Sequence, residues 1–440
     1  MGFKIIIVGG GPVGLTLAHA LTTIARVDVT VLESRTDVFE DAGASLILSP
    51  PSLRIFQQLG LLDAILEIGA PLLHHSQSFD ATRSSFKRGN AMHRLHTNLG
   101  CGLMALHRAD LIRLLYGELP DATKRCIHTG KRLVDILVTS IGVEAICADG
   151  TSYWGSLVIG ADGAHSKTRS IMRRHALESD SGLASIWDAE SPFTSHYKCL
   201  WASFPRLSDS GDSYETQGQH RSTMYLTGRD KGWLFLYEKL PCASKDRNRY
   251  DTKSMESFAH TFAQWSVTET LKVKDVLDGG PDTVIVGMTD LEEGVAKRIA
   301  WGGRIVLVGD AAHKFTPNAG AGFNNGVQDV ASLYNQLESL RDLNANSIQT
   351  AFEMYQQERQ VALERDFRRS AGATRLSAWE TWSDFLLARF FYSIGAVQRY
   401  YSDRNSEAMT EGLVLNSVAA DEPFLGKLAW KHELRGKRES

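Results

Sequence analysis

Three glycines near the start of the chain have the spacing of a phosphate-binding turn. Gly9, Gly11 and Gly14 form the pattern Gly-x-Gly-x-x-Gly directly after the apolar run 4–8. The first glycine permits a tight turn, the second lets a pyrophosphate approach bare backbone, and the third lets the following helix pack closely on the strand. The amides at the start of that helix would then face the phosphates.

An acidic residue at the end of the next apolar run extends this pattern. Glu33 follows the run 28–32 and lies nineteen residues after Gly14, a distance at which a carboxylate can bind ribose hydroxyls. Strand, glycine turn, helix, second strand and acid in this order predict a dinucleotide site. A glycine turn with a purely structural role is the alternative, and the acid alone does not distinguish FAD from NAD.

A second glycine-containing segment begins with an aspartate at the end of an apolar run. Asp310 follows the run 305–308 and precedes a bend that contains Pro317, Gly320 and Gly322. A carboxylate here needs hydrogen-bond donors, which a ribityl chain would offer, and the glycines would allow a flat ring to approach the backbone. The positive end of the next helix would stabilise a reduced flavin. This segment favours FAD; a strand-loop-helix connection without a ligand is the alternative.

The elements that must position these residues follow from the pattern of apolar runs. Runs at 4–8, 28–32, 156–160 and 305–308 predict buried strands that end at glycine-containing loops, and ligands bind at that edge of an open parallel sheet. Between about 180 and 285, alternating aromatic-rich segments predict a mainly antiparallel sheet. After Asn325 the apolar spacing becomes helical.

Composition excludes several classes of protein. The chain has 440 residues, 43% of them hydrophobic, and a net charge of −3, so nucleic acid is not an expected partner. Five scattered cysteines predict neither a disulfide framework nor a metal site, and the N-terminal apolar run is too short for a signal peptide. We expect an intracellular protein, cytoplasmic or attached peripherally to a membrane, and make no prediction of its oligomeric state.

One apolar segment near the C-terminus bears on whether the protein attaches to a membrane surface. Residues 385–397, "FLLARFFYSIGAV", are too short for a spanning helix and include Arg389. We predict a helix that packs on the body of the protein, and the alternative is a helix that lies at a membrane surface.

Three motifs in a fixed order carry a family resemblance. They are Gly-x-Gly-x-x-Gly at 9–14, Gly-Ala-Asp-Gly at 160–163, and the pattern "GDAAH…P…G.G.N.G..D" at 309–329. Together they resemble the FAD-dependent aromatic-hydroxylase family, the class A flavoprotein monooxygenases, over roughly residues 1–340. The wording "HKFTPNAGAGFNNG" is similar to fungal FAD monooxygenases of indole-diterpene and meroterpenoid pathways, including the paxilline-type epoxidases.

The resemblance implies a set of cofactor-binding residues. Glu33 would bind the adenosine ribose of FAD, Ala44 would lie beside the flavin or ribityl chain, and Arg108 would contact the cofactor from a helix start. Asp310 would bind the ribityl-pyrophosphate region, and the segment 320–323 would line the flavin ring. The full expected set is Gly9, Gly11, Val13, Gly14, Glu33, Ala44, Arg108, Asp162, Asp310, Gly320, Ala321, Gly322 and Phe323.

Two further features of these motifs have open interpretations. Asp162 and Gly163, followed by Lys167 and Arg169, resemble a motif linked to both FAD and NADPH, and the alternative is a tight strand-to-helix turn with surface cations. His313 follows the Gly-Asp pair; it could orient the loop or relay protons.

The resemblance also implies a fold and a division into domains. We predict an α/β protein with a Rossmann-like, glutathione-reductase-like FAD-binding domain, an inserted mainly antiparallel β domain for substrate, and C-terminal helices. The predicted FAD-binding domain comprises residues 1–180 and 286–345, the substrate domain comprises residues 181–285, and the helical region comprises residues 346–440.

The implied chemistry is oxygen transfer. Non-covalently bound FAD would be reduced by NADPH or NADH, which docks transiently, and would form a C4a-hydroperoxide with O2. This species would epoxidise or hydroxylate a lipophilic or aromatic substrate of secondary metabolism in a site that excludes water. The alternatives are a prenyl-chain reductase or halogenase of the same fold, and a non-catalytic FAD-binding module. The halogenase pattern Trp-x-Trp-x-Ile-Pro does not occur in the sequence.

The predicted substrate domain offers candidate acid-base residues. Aromatic side chains in it would form an apolar wall over the flavin or the buried face of a sheet. Relatives often use a tyrosine or arginine here, and we choose Tyr225 as the catalytic residue, with Tyr214 and Arg221 as alternatives. No metal site is predicted.

Overall fold

A computed structural model describes residues 3–41, 43–279, 284–392 and 394–436. Its strands are β1 (Phe3–Val8), β2 (Val27–Leu32), β3 (Ser45–Leu48), β4 (Ala70–Pro71), β5 (His75–Ser78), β6 (Lys87–Gly89), β7 (Met104–His107), β8 (Ile127–His128), β9 (Leu133–Val138), β10 (Val143–Cys147), β11 (Ser152–Gly155), β12 (Leu157–Gly160), β13 (Thr194–Pro205), β14 (Ser213–Gly218), β15 (Arg221–Thr227), β16 (Lys231–Ser244), β17 (Ile285–Val295), β18 (Ala300–Trp301), β19 (Ile305–Leu307) and β20 (His313–Lys314).

The helices surround these strands and dominate the last quarter of the chain. They are α1 (Pro12–Thr22), α2 (Pro50–Gln58), α3 (Leu62–Ile68), α4 (Ala91–Leu99), α5 (Arg108–Gly117), α6 (Asp121–Lys124), α7 (Lys167–Ser179), α8 (Thr252–His260), α9 (Val273–Leu277), α10 (Ala321–Glu338), α11 (Ala345–Ser377), α12 (Trp382–Leu386) and α13 (Gly395–Met409). Among the residues described, no helix combines the length and the apolar character that a membrane span requires.

The four predicted parallel strands form the centre of one sheet. Its strand order is β18-β19-β12-β1-β2-β8, and β19, β12, β1 and β2 run parallel to one another. The three isoleucines of β1 are fully buried, since both α1 and strand β11 of the three-stranded sheet β11-β10-β9 pack against this central strand. The carboxyl ends of these strands therefore deliver the Gly9–Gly14 turn, the Asp162 turn and the Asp310 loop to one edge of the sheet.

A second, eight-stranded sheet extends beyond the predicted range 181–285. Its order is β20-β17-β13-β16-β15-β14-β5-β6, and β17 continues to Val295. The range 181–285 is therefore too narrow for this sheet, because β5 and β6 join it through parallel pairing of β5 with β14. These two short strands are rich in polar residues and show no apolar alternation. Residues 280–283 of the predicted domain lie outside the described residues, and the division into domains stays a prediction.

The C-terminal region differs from the single packed helix predicted for residues 385–397. The segment forms α12, a π-helical turn at Leu387–Phe391 and the start of α13. Phe390 is 60% exposed and Ile394 is 50% exposed, so this segment does not bury its apolar side chains as the prediction required. From residue 410 to 436 the chain runs without helix or strand, which corrects the helical prediction for 346–440. Residues 437–440 lie outside the described residues.

Candidate cofactor and active site

A cavity of about 560 Å³ lies between the edge of the parallel sheet and one face of the second sheet. This volume is in the range of ligand pockets. Seven of the thirteen predicted cofactor-binding residues line it: Gly11, Val13, Arg108, Asp310, Gly320, Gly322 and Phe323. Segments that are more than three hundred residues apart in the chain therefore meet around one space.

The glycine turn between β1 and α1 has the close packing that its spacing predicts. Gly9 has φ +109°, and a Cβ atom there would lie 2.4 Å from the carbonyl oxygen of Ala161. A Cβ atom on Gly14 would lie 2.0 Å from the carbonyl oxygen of Gly9, whereas a Cβ atom on Gly11 would meet open space. No side chain caps the start of α1. Gly9 and Gly14 thus serve packing, and Gly11 leaves room for a phosphate at uncapped amides.

Glu33 lies at the carboxyl end of β2, beside the glycine turn. Its carboxylate accepts hydrogen bonds from the backbone amide of Gly10 at 2.7 Å and that of Arg35 at 2.8 Å. Burial alone would raise the pKa of Glu33, but hydrogen bonds and charge from Arg35, together with the Gly10 amide, hold this pKa below its ordinary value. Glu33 does not line the cavity, and its contact with a ribose stays a prediction.

The loop that follows β19 supplies the other wall of the cofactor region. Asp310 lines the cavity and forms an ion pair with Lys314. Burial would raise the pKa of Asp310, but the charge and hydrogen bond of Lys314, together with the charges of His313 and Arg108, hold this pKa below its ordinary value, and the carboxyl stays ionised. Gly320 has φ +60° and directly precedes α10, whose start carries no side-chain cap. The first amides of α10 therefore face the cavity with a positive dipole end.

A buried ionic cluster lies directly beneath this loop. The carboxylate of Asp329, on α10, is 2.6 Å from His313 Nε2 and accepts hydrogen bonds from the Gly309 amide at 2.9 Å and from Arg359 Nε at 2.8 Å. Asp329 and His313 are fully buried. Burial would raise the pKa of Asp329, but the charges of His313 and Arg359 hold it below its ordinary value. This geometry supports the interpretation in which His313 orients the loop.

Asp162, which was predicted to bind the cofactor, does not lie at the cavity. Its carboxylate accepts hydrogen bonds from Ser166 Oγ at 2.6 Å and from the Thr168 amide at 2.9 Å, so it serves the start of α7 and does not line the cavity. These hydrogen bonds fit the alternative interpretation, in which Asp162 belongs to a tight strand-to-helix turn. The neighbours Ala161 and Gly163 line the cavity instead.

Tyr225 is the second correction, because it lies on the wrong face of the sheet. Its side chain is fully buried in a cluster with Phe204 and Tyr214, and its hydroxyl lies 3.0 Å from Ser208 Oγ. The residues on either side of it, Met224 and Leu226, line the cavity. Since side chains alternate across a strand, Tyr225 points away from the cavity and cannot act as its acid-base residue. The alternative candidates Tyr214 and Arg221 do not line the cavity either.

Two other predicted residues lie beside the cavity but do not line it. The carbonyl of Ala44 accepts a hydrogen bond from the Arg108 amide at 3.0 Å and so ties the β3 loop to the start of α5. Ala321 lines a second, adjoining cavity of about 340 Å³ behind the 317–323 loop. Neither alanine side chain therefore lines the main cavity.

The substrate side of the cavity contains polar residues that the sequence did not reveal. His75, Ser213, Glu215 and Tyr237 line it. Ser213, Glu215 and Tyr237 occupy the same face of the sheet as Met224, so strand alternation could have grouped them once β14, β15 and β16 were aligned. His75 comes from β5, which carries no apolar pattern, and no sequence signal indicates its place.

The residues around the cofactor region fit FAD. The uncapped start of α1 and the open space at Gly11 suit a pyrophosphate, and the ionised Asp310 suits a ribityl chain. The segment 320–323 at the uncapped start of α10 suits a flat ring. Among the residues described, no group of histidine, cysteine and acidic side chains could hold a metal ion. Fold and site together define a dinucleotide-binding flavoprotein with a separate wall for a small molecule.

Comparison with known proteins identifies the family. The model of the FAD binding domain family matches residues 3–232 and 237–370, so the chain belongs to this family, and the predicted cofactor FAD is confirmed. The FAD-dependent monooxygenase ausM of Penicillium brasilianum is 30% identical over 403 residues, which cover 88% of this chain and 82% of that protein. The FAD-dependent monooxygenase verC1 of Penicillium polonicum is 29% identical over all of this chain, which spans 55% of that protein's length.

Solved structures support the fold. Klebsiella pneumoniae HpxO complexed with FAD and uric acid has a TM-score of 0.74 at 18% identity, with 92% of this chain and 96% of that chain covered. A salicylate hydroxylase substrate complex has a TM-score of 0.67 at 19% identity, with 93% and 98% covered. The predicted fold and the resemblance to class A flavoprotein monooxygenases are confirmed, and the chain groups with enzymes of that class.

The Asp329 cluster generates a stability prediction. We expect Asp329→Asn to lower the free energy of unfolding by about 3 to 5 kcal/mol, because it leaves the buried Arg359 charge without its partner. We expect the variant also to retain less FAD after gel filtration. Thermal denaturation and visible absorbance measure the two effects, and Asp342→Asn, at an exposed position, is the control. An Asp329→Asn variant as stable and as yellow as the wild type would contradict the role of Asp329 in holding the FAD-binding loop.

The same cluster predicts a dependence on pH. The pKa of Asp329 is lower in the folded than in the unfolded chain, so its stabilisation is present above about pH 4, the unfolded pKa. It is lost as the pH falls through the folded pKa. The stability difference between wild type and Asp329→Asn should therefore shrink as the pH falls below about 4.

Proposed function

We propose that this protein is an FAD-dependent, NAD(P)H-consuming monooxygenase that epoxidises or hydroxylates a lipophilic or aromatic small molecule. The convergence of three chain segments and a largely apolar sheet face on one cavity carries the proposal. Relatives named FAD-dependent monooxygenases, such as prhF of Penicillium brasilianum at 32% identity over 80% of this chain, support the reaction class. Their fungal sources support a substrate from secondary metabolism.

The protein's own residues would bind, orient and shield. When bound, FAD supplies the redox chemistry that activates O2. Gly11 and the start of α1 would bind its pyrophosphate, Asp310 its ribityl hydroxyls, and the start of α10 would stabilise negative charge on the ring. The apolar residues of the sheet face would exclude water from the reacting atoms.

Arg108 and Arg369 both line this cavity. We infer that Arg108 contacts the cofactor, because it begins α5 beside Ala44. Burial lowers the pKa of Arg108, and the Asp310 and Glu33 charges act against that shift, so the arginine remains a cation that faces the phosphate side. These roles rest on placement around the cavity and on the resemblance of the motifs.

Anaerobic reduction followed by mixing with oxygen tests the reaction class. We expect NADPH or NADH to bleach the flavin absorbance, and O2 to restore it with release of an oxygenated product when a suitable substrate is present. Stopped-flow absorbance with product analysis measures both. A reductase would reduce its substrate without O2, a halogenase would need a halide, and a binding module would leave NADPH unoxidised; any of these outcomes would overturn the monooxygenase proposal.

We also propose a peripheral membrane contact through an exposed aromatic patch. The patch consists of Trp382, Leu386, Leu387, Phe390, Phe391 and Ile394. Trp382 is 72% exposed, and aromatic rings beside the cation Arg389 are typical of an interfacial segment. The following helix α13 packs on α4, whose Met92 lines the cavity. A lipophilic substrate could therefore enter from the membrane side.

Vesicle sedimentation tests this contact. We expect the protein to co-sediment with phosphatidylcholine vesicles that contain phosphatidylserine, and Phe390→Ser with Phe391→Ser to reduce the bound fraction several-fold because apolar area is lost. Val361→Ser, at a singly exposed apolar side chain on α11 (76% exposed), is the matched control. No sedimentation of the wild type, or equal sedimentation of both variants, would contradict the proposal.

A further inference from the structure

A buried tyrosine hydroxyl faces the substrate side of the cavity without a partner. Tyr237 lines the cavity and is fully buried, yet its hydroxyl forms no hydrogen bond in the described part of the chain. Native proteins rarely leave such a group unpaired, because its desolvation is unfavourable. Burial, followed by the nearby Cys199 thiol and Glu215 carboxylate, raises the pKa of Tyr237 well above its ordinary value. The hydroxyl is therefore a neutral donor.

An ionised carboxylate stands on the same face of the sheet. Glu215 accepts hydrogen bonds from Gln77 Nε2 at 3.1 Å and from Gln217 Nε2 at 3.2 Å, and its Oε2 lies 3.6 Å from His75 Nε2. Burial would raise the pKa of Glu215, but the hydrogen bond and charge of His75, followed by hydrogen bonds from Ser377 and Gln77, hold it below its ordinary value. These partners and Gln217 fill the roughly four acceptor sites of a carboxylate, so Glu215 presents a negative charge beside the cavity.

No fixed cation neutralises this carboxylate. Among the described residues, Glu215 forms no ion pair with a lysine or arginine, and its one ionisable partner is His75, whose Nδ1 lies 3.0 Å from Ser213 Oγ. Arg369, on α11, lines both this cavity and the second cavity. The polar group of a substrate that docks against the sheet therefore meets the Tyr237 donor and the negative charge of Glu215.

The rest of this wall is apolar. Its members are Leu72, Met92, Leu103, Met224, Leu226 and Phe235. The register places these groups in order along the sheet: Ser222, whose hydroxyl is also buried without a partner, is paired with Tyr237, Met224 with Phe235, and Leu226 with Trp233. On the neighbouring strand β14, Glu215 is paired with Met224 and Ser213 with Leu226, so polar side chains lie beside the apolar ones along this face.

We propose that Tyr237 and Glu215 form a hydroxyl-recognition site that selects an uncharged, hydroxyl-bearing lipophilic substrate and rejects carboxylic acids. A substrate hydroxyl can accept a hydrogen bond from Tyr237, and an apolar body would lie along the remaining wall. A carboxylate would be repelled by Glu215, and a hydrocarbon would leave the Tyr237 hydroxyl unpaired. This inference rests on the proposed function and names the substrate class of that same cavity.

Equilibrium dialysis of the FAD-loaded protein with three matched probes tests the selection. The probes are 4-hexylphenol, 4-hexylbenzoate and hexylbenzene, which share one alkyl chain. We expect the phenol to bind roughly ten-fold more tightly than either other probe, the size of one hydrogen bond. Tyr237→Phe should remove the preference for the phenol over hexylbenzene, and Glu215→Gln should strengthen binding of the benzoate.

Thermal stability separates a recognition role from a structural one. Tyr237→Phe removes a hydroxyl that has no partner, so we expect an unchanged or higher melting temperature. Tyr225→Phe is the matched control on the opposite face, and it should lower the melting temperature because it removes a contact with Ser208. It should leave probe binding unchanged. A destabilised Tyr237→Phe would show that the hydroxyl serves the fold and would overturn the proposal.

The outcomes distinguish this inference from the proposed function. Absence of NADPH oxidation by the FAD-loaded protein would refute the monooxygenase, whatever the probes do. With NADPH oxidation intact, the recognition site is refuted if the phenol does not bind, if the benzoate binds as tightly as the phenol, or if Tyr237→Phe retains the preference. Loss of the preference in Tyr237→Phe, with melting temperature preserved, supports it.

Discussion

The position of the Asp310 loop depends on one buried carboxylate. Asp329 reaches back from the third turn of α10 to the amide of Gly309, which directly precedes Asp310, and joins them to His313 and Arg359. A buried charge is tolerated only where partners compensate it, so this arrangement fixes β19, its loop and α10 relative to one another. The uncapped start of α10 and the ionised Asp310 then face the cavity together. Without this cluster neither could be held where a flavin needs it.

Strand alternation divides the second sheet into two surfaces with different roles. Tyr225 and its neighbours on one face pack under α8 and α9 in a closed core. Met224, Phe235 and Tyr237 on the other face line the cavity. A shift of one residue along β15 would exchange these roles, because successive side chains point to opposite faces. The same constraint that builds the core therefore determines which side chains a substrate can meet.

The sequence predicts the cofactor region well because its signals are local. A glycine turn between an apolar strand and a helix, or an aspartate at the end of a buried run, has few other uses, and the structure brings Gly11, Asp310 and Gly320 to one cavity. The substrate region was predicted less well, since it depends on pairing between distant strands. Tyr225 has the residue type expected of a catalytic group, but its face is settled only by register with β14 and β16. His75 lies on a polar strand with no apolar pattern, and its place is set by parallel pairing with β14.

The central claim is that two segments roughly three hundred residues apart in the chain, 9–33 and 309–323, bind the two halves of one FAD. Isothermal titration of the flavin-free protein with FAD, and separately with FMN, tests it most directly. We propose that the Gly9–Gly14 turn and Glu33 bind the adenosine half, and that the 309–323 loop binds the flavin half. We therefore expect FAD to bind at a one-to-one ratio and at least about a hundred-fold more tightly than FMN. Equal affinity for the two, or no binding of FAD, would contradict the account.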